Sequence, residues 1–158
     1  MKNVLLSFLS SISFSLWNEA ETIYRQSMYI NERLSRAIDG RNEDMVRMLY
    51  NLAIMFLFAT KGPLGPFKFT EYCKKYPEIP KIIMEHLVSR FTESVGAFNT
   101  TDTVSGLRKK TAIMQDRLIS HIIVVCLHLD NFKILVNPLA QDLGLAMPKF
   151  GATYLIFC

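Results

Sequence analysis

Three consecutive cations, Arg108-Lys109-Lys110, close a small, polar, glycine-containing stretch, "SVGAFNTTDTVSGLRKKT". Long basic side chains at such a place can neutralise phosphates and release their counterions, so the trio is the strongest nucleic-acid candidate in the chain. The competing reading is a solvated surface turn. Upstream, in "IPKIIMEHLVSRFTE", His86 and Arg90 stand four apart and share one helical face, with Lys81 on nearly the opposite side. Of these only Arg90 has the side chain usually aimed at base edges, so phosphate contact independent of sequence is the expected mode. Lys149 and Lys133 are the cations of the final segment. Lys149 joins the candidate DNA-binding set, although ordinary surface is the favoured reading of both.

Catalytic chemistry finds little support. His121 and His128 lie two helical turns apart within an apolar run, with no acid at metal-ligand spacing, and read as satisfied core or interface histidines. Asp116-Arg117 and Asp130 read as helix-end charge. "GPLGPFK" lacks the Gly-Lys-Ser/Thr ending of a phosphate loop. Cys73, Cys126 and Cys158 are odd in number and never spaced as a pair, which argues for a reducing compartment without disulfides or a zinc site. No catalytic residue, metal, cofactor or small-molecule substrate is expected.

The elements that must hold these residues follow from periodicity and punctuation. The chain has 158 residues, half of them apolar and 20% charged, enough to bury a real core. Its net charge of +4 is uneven: residues 61–117 carry ten basic and six acidic residues, while the flanking regions balance. Such a local excess suits a polyanionic partner. Residues 1–17 resemble a leader superficially, but no small-x-small site follows, and an artefactual or poorly ordered start, or a packed segment, is the better expectation. "LAIMFLFA" and "LISHIIVVCLHL" fall short of the roughly 20 residues a bilayer span needs, so no membrane is expected as a partner.

Residues 19–38 read as an amphipathic helix closed by Asp39-Gly40. Asn42 caps "EDMVRMLYNLAIMFLFAT", a core helix ended by the two Gly and two Pro of "KGPLGPFKF". A short helix, "TEYCKKYPE", precedes a longer one with Pro80 near its start and Ile83, Leu87 and Phe91 facing the core. A second long helix, "AIMQDRLISHIIVVCLHLD", presents Leu118, Ile122, Val125 and Leu129 on one face. Asp130-Asn131 should end it, Phe132 should return the chain to the core, and a few extended residues should follow. Asn137 should then cap a helix with Pro138 at its first position and Gly144 at its end.

The same cadence therefore occurs twice: long apolar helix, short link, short helix, helix opened by proline. A helix-turn-helix core followed by a basic hairpin is the winged-helix plan. The expectation is a mainly α protein with small β, built of tandem winged helices, the second incomplete. Residues 1–41 form a helical lead-in, 42–111 a first winged helix with a basic wing, and 112–158 a truncated second one.

From about Trp17 to Phe150 the chain resembles the C-terminal half of the RNA polymerase I subunit family that carries a TFIIE-like tandem winged helix. The likeness is most specific at "DRLISHIIVVCLHLDNFKILVNPLAQDLGL". There the family similarly has an apolar-His-apolar-Asp-Asn/Asp-Phe turn, a short strand and a Leu-x-x-Asp-Leu helix. "IPKIIMEHLVSRFTE" and "MLYNLAIMFLF" look like the last and first helices of the first unit. The family's N-terminal dimerisation module has no counterpart here. The resemblance implies a nuclear, nucleolar, non-catalytic subunit that supports initiation and elongation of ribosomal RNA synthesis. It would do so by binding double-stranded DNA beside other polymerase I subunits. A winged-helix protein-interaction module without nucleic acid is the alternative.

Overall fold

The computed structural model describes residues 27–96 and 106–146. The apolar segment 1–17, residues 19–26 of the first expected helix, most of the expected wing, and Lys149 with its proline-opened helix lie outside the described residues.

Six helices and three short strands follow in order among the described residues: α1 (Met28–Asp39), α2 (Glu43–Lys61), β1 (Phe67–Lys68), α3 (Phe69–Lys75), α4 (Lys81–Phe91), β2 (Glu93–Ser94), β3 (Leu107–Lys109), α5 (Ala112–Leu129) and α6 (Val136–Asp142). The protein is mainly helical with a small antiparallel sheet, ordered β1-β3-β2. In it Phe67 pairs with Arg108, and Glu93 and Ser94 pair with Lys109 and Arg108.

Local signals explain most boundaries. The Asn42 side chain accepts from the Met45 amide at 3.0 Å, and Glu43 and Asp44 occupy the first turn of α2, where the helix dipole favours acids. The Gly/Pro loop ends α2 as expected. Gly144 takes a left-handed φ of 63° just beyond α6. Thr111 caps α5 by accepting from the Met114 amide at 3.3 Å.

One hydrophobic core unites the described residues. Helix α2 is its axis: α1 packs on one side, α5 on another, and Leu49, Leu52 and Ile54 are almost wholly buried. Helix α5 supplies Leu118, Ile119, Ile122, Ile123 and Cys126, and α6 supplies Leu139 and Ala140. Each such aliphatic side chain removed from water contributes roughly 1.5–3 kcal/mol. With 18 residues, α5 is long and apolar enough to cross a membrane; in this fold it is a core helix packed against α2 and α4. Tyr72 of α3 is buried against the rings of Phe58 and Phe67, at 5.6 and 5.5 Å, which ties β1 and α3 to α2.

Four local expectations need correction. Phe132 does not return to the core: it is 68% exposed, and both Asn131 and Phe132 take left-handed φ values of 50° and 62°. The two-residue left-handed corner turns the ring outward, where it meets His128 edge-on at 5.3 Å. Helix α6 starts at Val136 with Leu135 in the capping position, so Asn137 does not cap it and Pro138 is third in the helix. Proline is acceptable there, because the first-turn amides have no intrahelical partner. No strand forms among residues 131–135. On α4 the buried stripe is Met84, Leu87, Val88 and Phe91, with Ile83 only partly covered.

The N-terminus of α1 is bound by the end of the described chain. Ser27 Oγ accepts from the Ile30 amide at 3.1 Å and donates to Asp142 Oδ2 at 2.8 Å. The Tyr29 amide donates to the same carboxylate oxygen at 2.9 Å. A carboxylate is favoured there, because free amides and the helix dipole both point at it. A turn along, Arg33 clasps Asp130 with Nε and Nη2 at 2.7 and 2.6 Å. Tyr29 donates its hydroxyl to the same carboxylate at 2.9 Å and lies under the guanidinium, 3.4 Å from ring centroid to Cζ. Burial lowers the proton affinity of Arg33, but its hydrogen bonds to Asp130, together with Tyr29 and the Asp130 and Glu32 charges, outweigh this and raise it overall.

Candidate nucleic-acid interface

Strand alternation divides the Arg108-Lys109-Lys110 trio. Successive strand residues point to opposite faces, and β3 reads exposed, buried, exposed over Leu107, Arg108 and Lys109. Arg108 is only 5% exposed. Its Nε donates to Thr92 Oγ1 at 2.6 Å and its Nη2 to the Thr92 carbonyl at 2.8 Å, with Nη1 3.4 Å from Ser94 Oγ. Arg108 thereby fastens β3 to the end of α4 and to β2.

Lys110 falls on the same side as Arg108 and is half-buried. Its Nζ donates to the Phe58 carbonyl at 2.8 Å and sits 4.9 Å above the Phe58 ring. Burial pushes its ammonium down to about 8. The carbonyl at the C-terminal end of α2 pulls the other way. Gln115 adds a second clasp, donating to the Ala59 carbonyl at 3.0 Å. The Gly62 amide also reaches the Phe58 carbonyl, at 3.1 Å. A Cβ at Gly62 would stand 2.1 Å from that oxygen and 2.9 Å from Lys110 Nζ. Gly62→Ala is therefore expected to lower stability by about 1–3 kcal/mol, read as a fall in the thermal midpoint. An unchanged midpoint would remove this close approach as a constraint.

Lys109 is the exposed member of the trio. Beside it α4 turns Lys81, Ile82, Glu85, His86, Ser89 and Arg90 to solvent, because Met84, Leu87, Val88 and Phe91 take the opposite face into the core. His86 and Arg90 occupy one edge of that exposed face and Lys81 the other, with Glu85 between. The Glu85 carboxylate divides the cations of α4, so the basic edge is the one bearing His86 and Arg90.

That edge turns toward α5, where two residues not expected in the site join it. Helix α4 packs against α5, and the Phe91 and His121 rings meet at 5.7 Å and 53°. Arg117 precedes His121 by one turn on α5. Burial lowers the proton affinity of His121, and the charges of Arg90 and Arg117 lower it further. The one-turn spacing of Arg117 and His121 was visible in the sequence. Their meeting with Arg90 depends on how the two helices cross and was not.

Other candidates have no chemistry here. Cys126 is buried at the α5 core face, where burial pushes its thiol up to about 12 and leaves it inert. Among the described residues no group of His, Cys, Asp or Glu could hold a metal ion. Lys133 is exposed on the corner after α5.

The model of a family described as "A49-like RNA polymerase I associated factor" matches residues 8–154. The chain is also 31% identical over 130 residues to the DNA-directed RNA polymerase I subunit rpa49 of Schizosaccharomyces pombe. That match takes in 80% of this chain and 28% of the fission-yeast protein, so the chain spans little more than a quarter of that relative's length. No solved structure matches.

Proposed function

Because the chain belongs to the A49-like RNA polymerase I associated factor family, we propose that it acts as a non-catalytic, DNA-binding part of RNA polymerase I. It would support initiation and elongation of ribosomal RNA synthesis in the nucleus and nucleolus, in company with other polymerase I subunits. The observation that carries DNA binding is the order α2-β1-α3-α4-β2-β3 with its antiparallel sheet. This is the plan of a winged helix, and it leaves the His86–Arg90 edge of α4 and Lys109 of β3 exposed. In the tandem winged-helix reading, α5 and α6 open a second unit.

Contact is to phosphates, through Arg90, Lys109, Lys81 and His86, with Lys149 as a further candidate. Arg108 and Lys110 act indirectly, by fixing β3. In this reading the polymerase supplies all chemistry. The test is retardation of a short duplex by the full chain across a salt series. Lys109→Ala and Arg90→Ala should each weaken binding uniformly across DNA sequences and lower the salt slope by about 1. Binding that ignores salt, or slopes unmoved by both changes, refutes the assignment.

The competing reading, a protein-interaction module without nucleic acid, draws support from the withdrawal of Arg108 and Lys110 from solvent. It predicts recovery of polymerase I subunits from nuclear extract with no retardation of DNA at any salt.

A further inference from the structure

The crossing of α4 and α5 brings together three nitrogen-bearing side chains, none of them ion-paired among the described residues. Arg90 closes α4 with its guanidinium carbon 6.0 Å from the centroid of the Phe91 ring. The other neighbour of that ring is His121 of α5, and Arg117 lies one turn before His121. Neither Arg90 nor Arg117 has an ion-pair partner among the described residues, unlike Arg33, Arg36 and Arg47. Asp116 on α5 and Glu93 on β2 are exposed, and neither carboxylate acts on His121. The charges that do act on it are Arg90 from α4 and Arg117 from α5. Helix α2, which also packs against α5, buries an apolar face, and His86 on α4 is exposed one turn before Arg90.

Two unpaired guanidiniums and an imidazole, converging on one helix crossing, are the donor set of an oxyanion seat. We propose that Arg90, Arg117 and His121 together hold one backbone phosphate of bound nucleic acid. This rests on the DNA-binding reading above and extends the contact surface from α4 onto α5. The seat is linked to protons. With the seat empty, burial and the two guanidiniums keep the imidazole neutral at ordinary pH. A phosphate would neutralise the guanidiniums and offer His121 an acceptor, so the ring takes a proton from solvent as the phosphate enters. Binding then tightens as pH falls through the histidine range. It changes by up to about tenfold per pH unit where free and bound forms differ by one proton.

The test uses the full chain and two probes. With inorganic pyrophosphate, the His121 ring titration is followed by NMR in the parent and in Arg117→Gln, an exposed change that leaves the core intact. With a short duplex at fixed salt, affinity is measured from about pH 8 down to about pH 6, in the parent and in His121→Gln. The expected result is a His121 midpoint raised about one unit by pyrophosphate, a rise largely lost in Arg117→Gln. Duplex affinity should climb severalfold on acidification, and His121→Gln should flatten the climb. A midpoint unmoved by pyrophosphate, or equally raised in Arg117→Gln, overturns the seat even if DNA is bound. Pyrophosphate uptake with no duplex binding at low salt overturns nucleic acid as its occupant, and the DNA-binding reading with it.

Discussion

Asp130→Ala will cost about 3–5 kcal/mol of unfolding free energy, because it strands a buried guanidinium. The side chains of Arg33 and Asp130 are only 9% and 11% exposed. Asp130 takes two bonds from Arg33 and one from Tyr29. Without the carboxylate, Arg33 keeps one bond, from Nη1 to the Tyr29 carbonyl at 2.9 Å, and its stacking on the Tyr29 ring. The exposed Glu32 carboxylate, 3.8 Å from Nη1, is then the nearby counter-charge, a long and solvent-screened one. Asp130→Asn retains an acceptor and the volume but not the charge, and should fall nearly as far. Removing both partners, as Arg33→Met with Asp130→Leu, should recover much of the loss, since a buried pair replaced by apolar groups of similar size is often neutral. Urea denaturation of the parent, Arg33→Met, Asp130→Leu and the double variant completes a double-mutant cycle. A single-mutant cost below about 1 kcal/mol would mean that the pair is solvated, like an ordinary surface bridge.

The second large effect separates two neighbours in the sequence. Arg108→Ala should lower stability by about 2–3 kcal/mol, since it leaves the Thr92 carbonyl and hydroxyl without their buried donor. Lys109→Ala, one residue on, should stay within about 0.5 kcal/mol of the parent and show its loss in DNA affinity instead. Thermal denaturation and duplex binding, measured on both variants, give opposite orderings if the strand geometry holds. If Arg108→Ala folds as well as the parent and is the poorer DNA binder, the inward placement of its side chain is refuted.

How much was legible follows the range of the interaction. Asn42, the Gly62–Pro66 loop and Gly144 act on amides and carbonyls a few residues away, and these signals hold in the fold, whereas Asn137 does not cap α6. The apolar spacing of α2 and α5 is equally local, and it located the core. Misreadings began where a neighbour distant in sequence decides. The basic trio was read as one cationic set on a wing, whereas the alternation of β3, carried one residue past its end, puts Arg108 and Lys110 on one face, covered by Thr92 and Phe58. The turn at Asp130 was read for its backbone; its carboxylate proved to belong to Arg33, 97 residues earlier. Phe132 looked like core because it is aromatic, but two left-handed residues in succession aim it outward. The seat at Arg90, Arg117 and His121 depends on a helix crossing, which no local pattern encodes.

The clasp between Arg33 and Asp130 also sets an order of events during synthesis. Arg33 leaves the ribosome 97 residues ahead of its partner, an interval of about 5–20 s at ordinary elongation rates. Through that interval α1 has neither the Asp130 carboxylate nor the Asp142 cap at its N-terminus, while α2, α3, α4 and the sheet are complete once Lys109 emerges. The nascent chain can therefore assemble its helix-and-sheet body first, with α1 waiting as a charged, half-matched helix. Emergence of α5 and α6 then supplies both carboxylates, and a chain halted before Asp130 would leave Arg33 to the long, exposed pairing with Glu32.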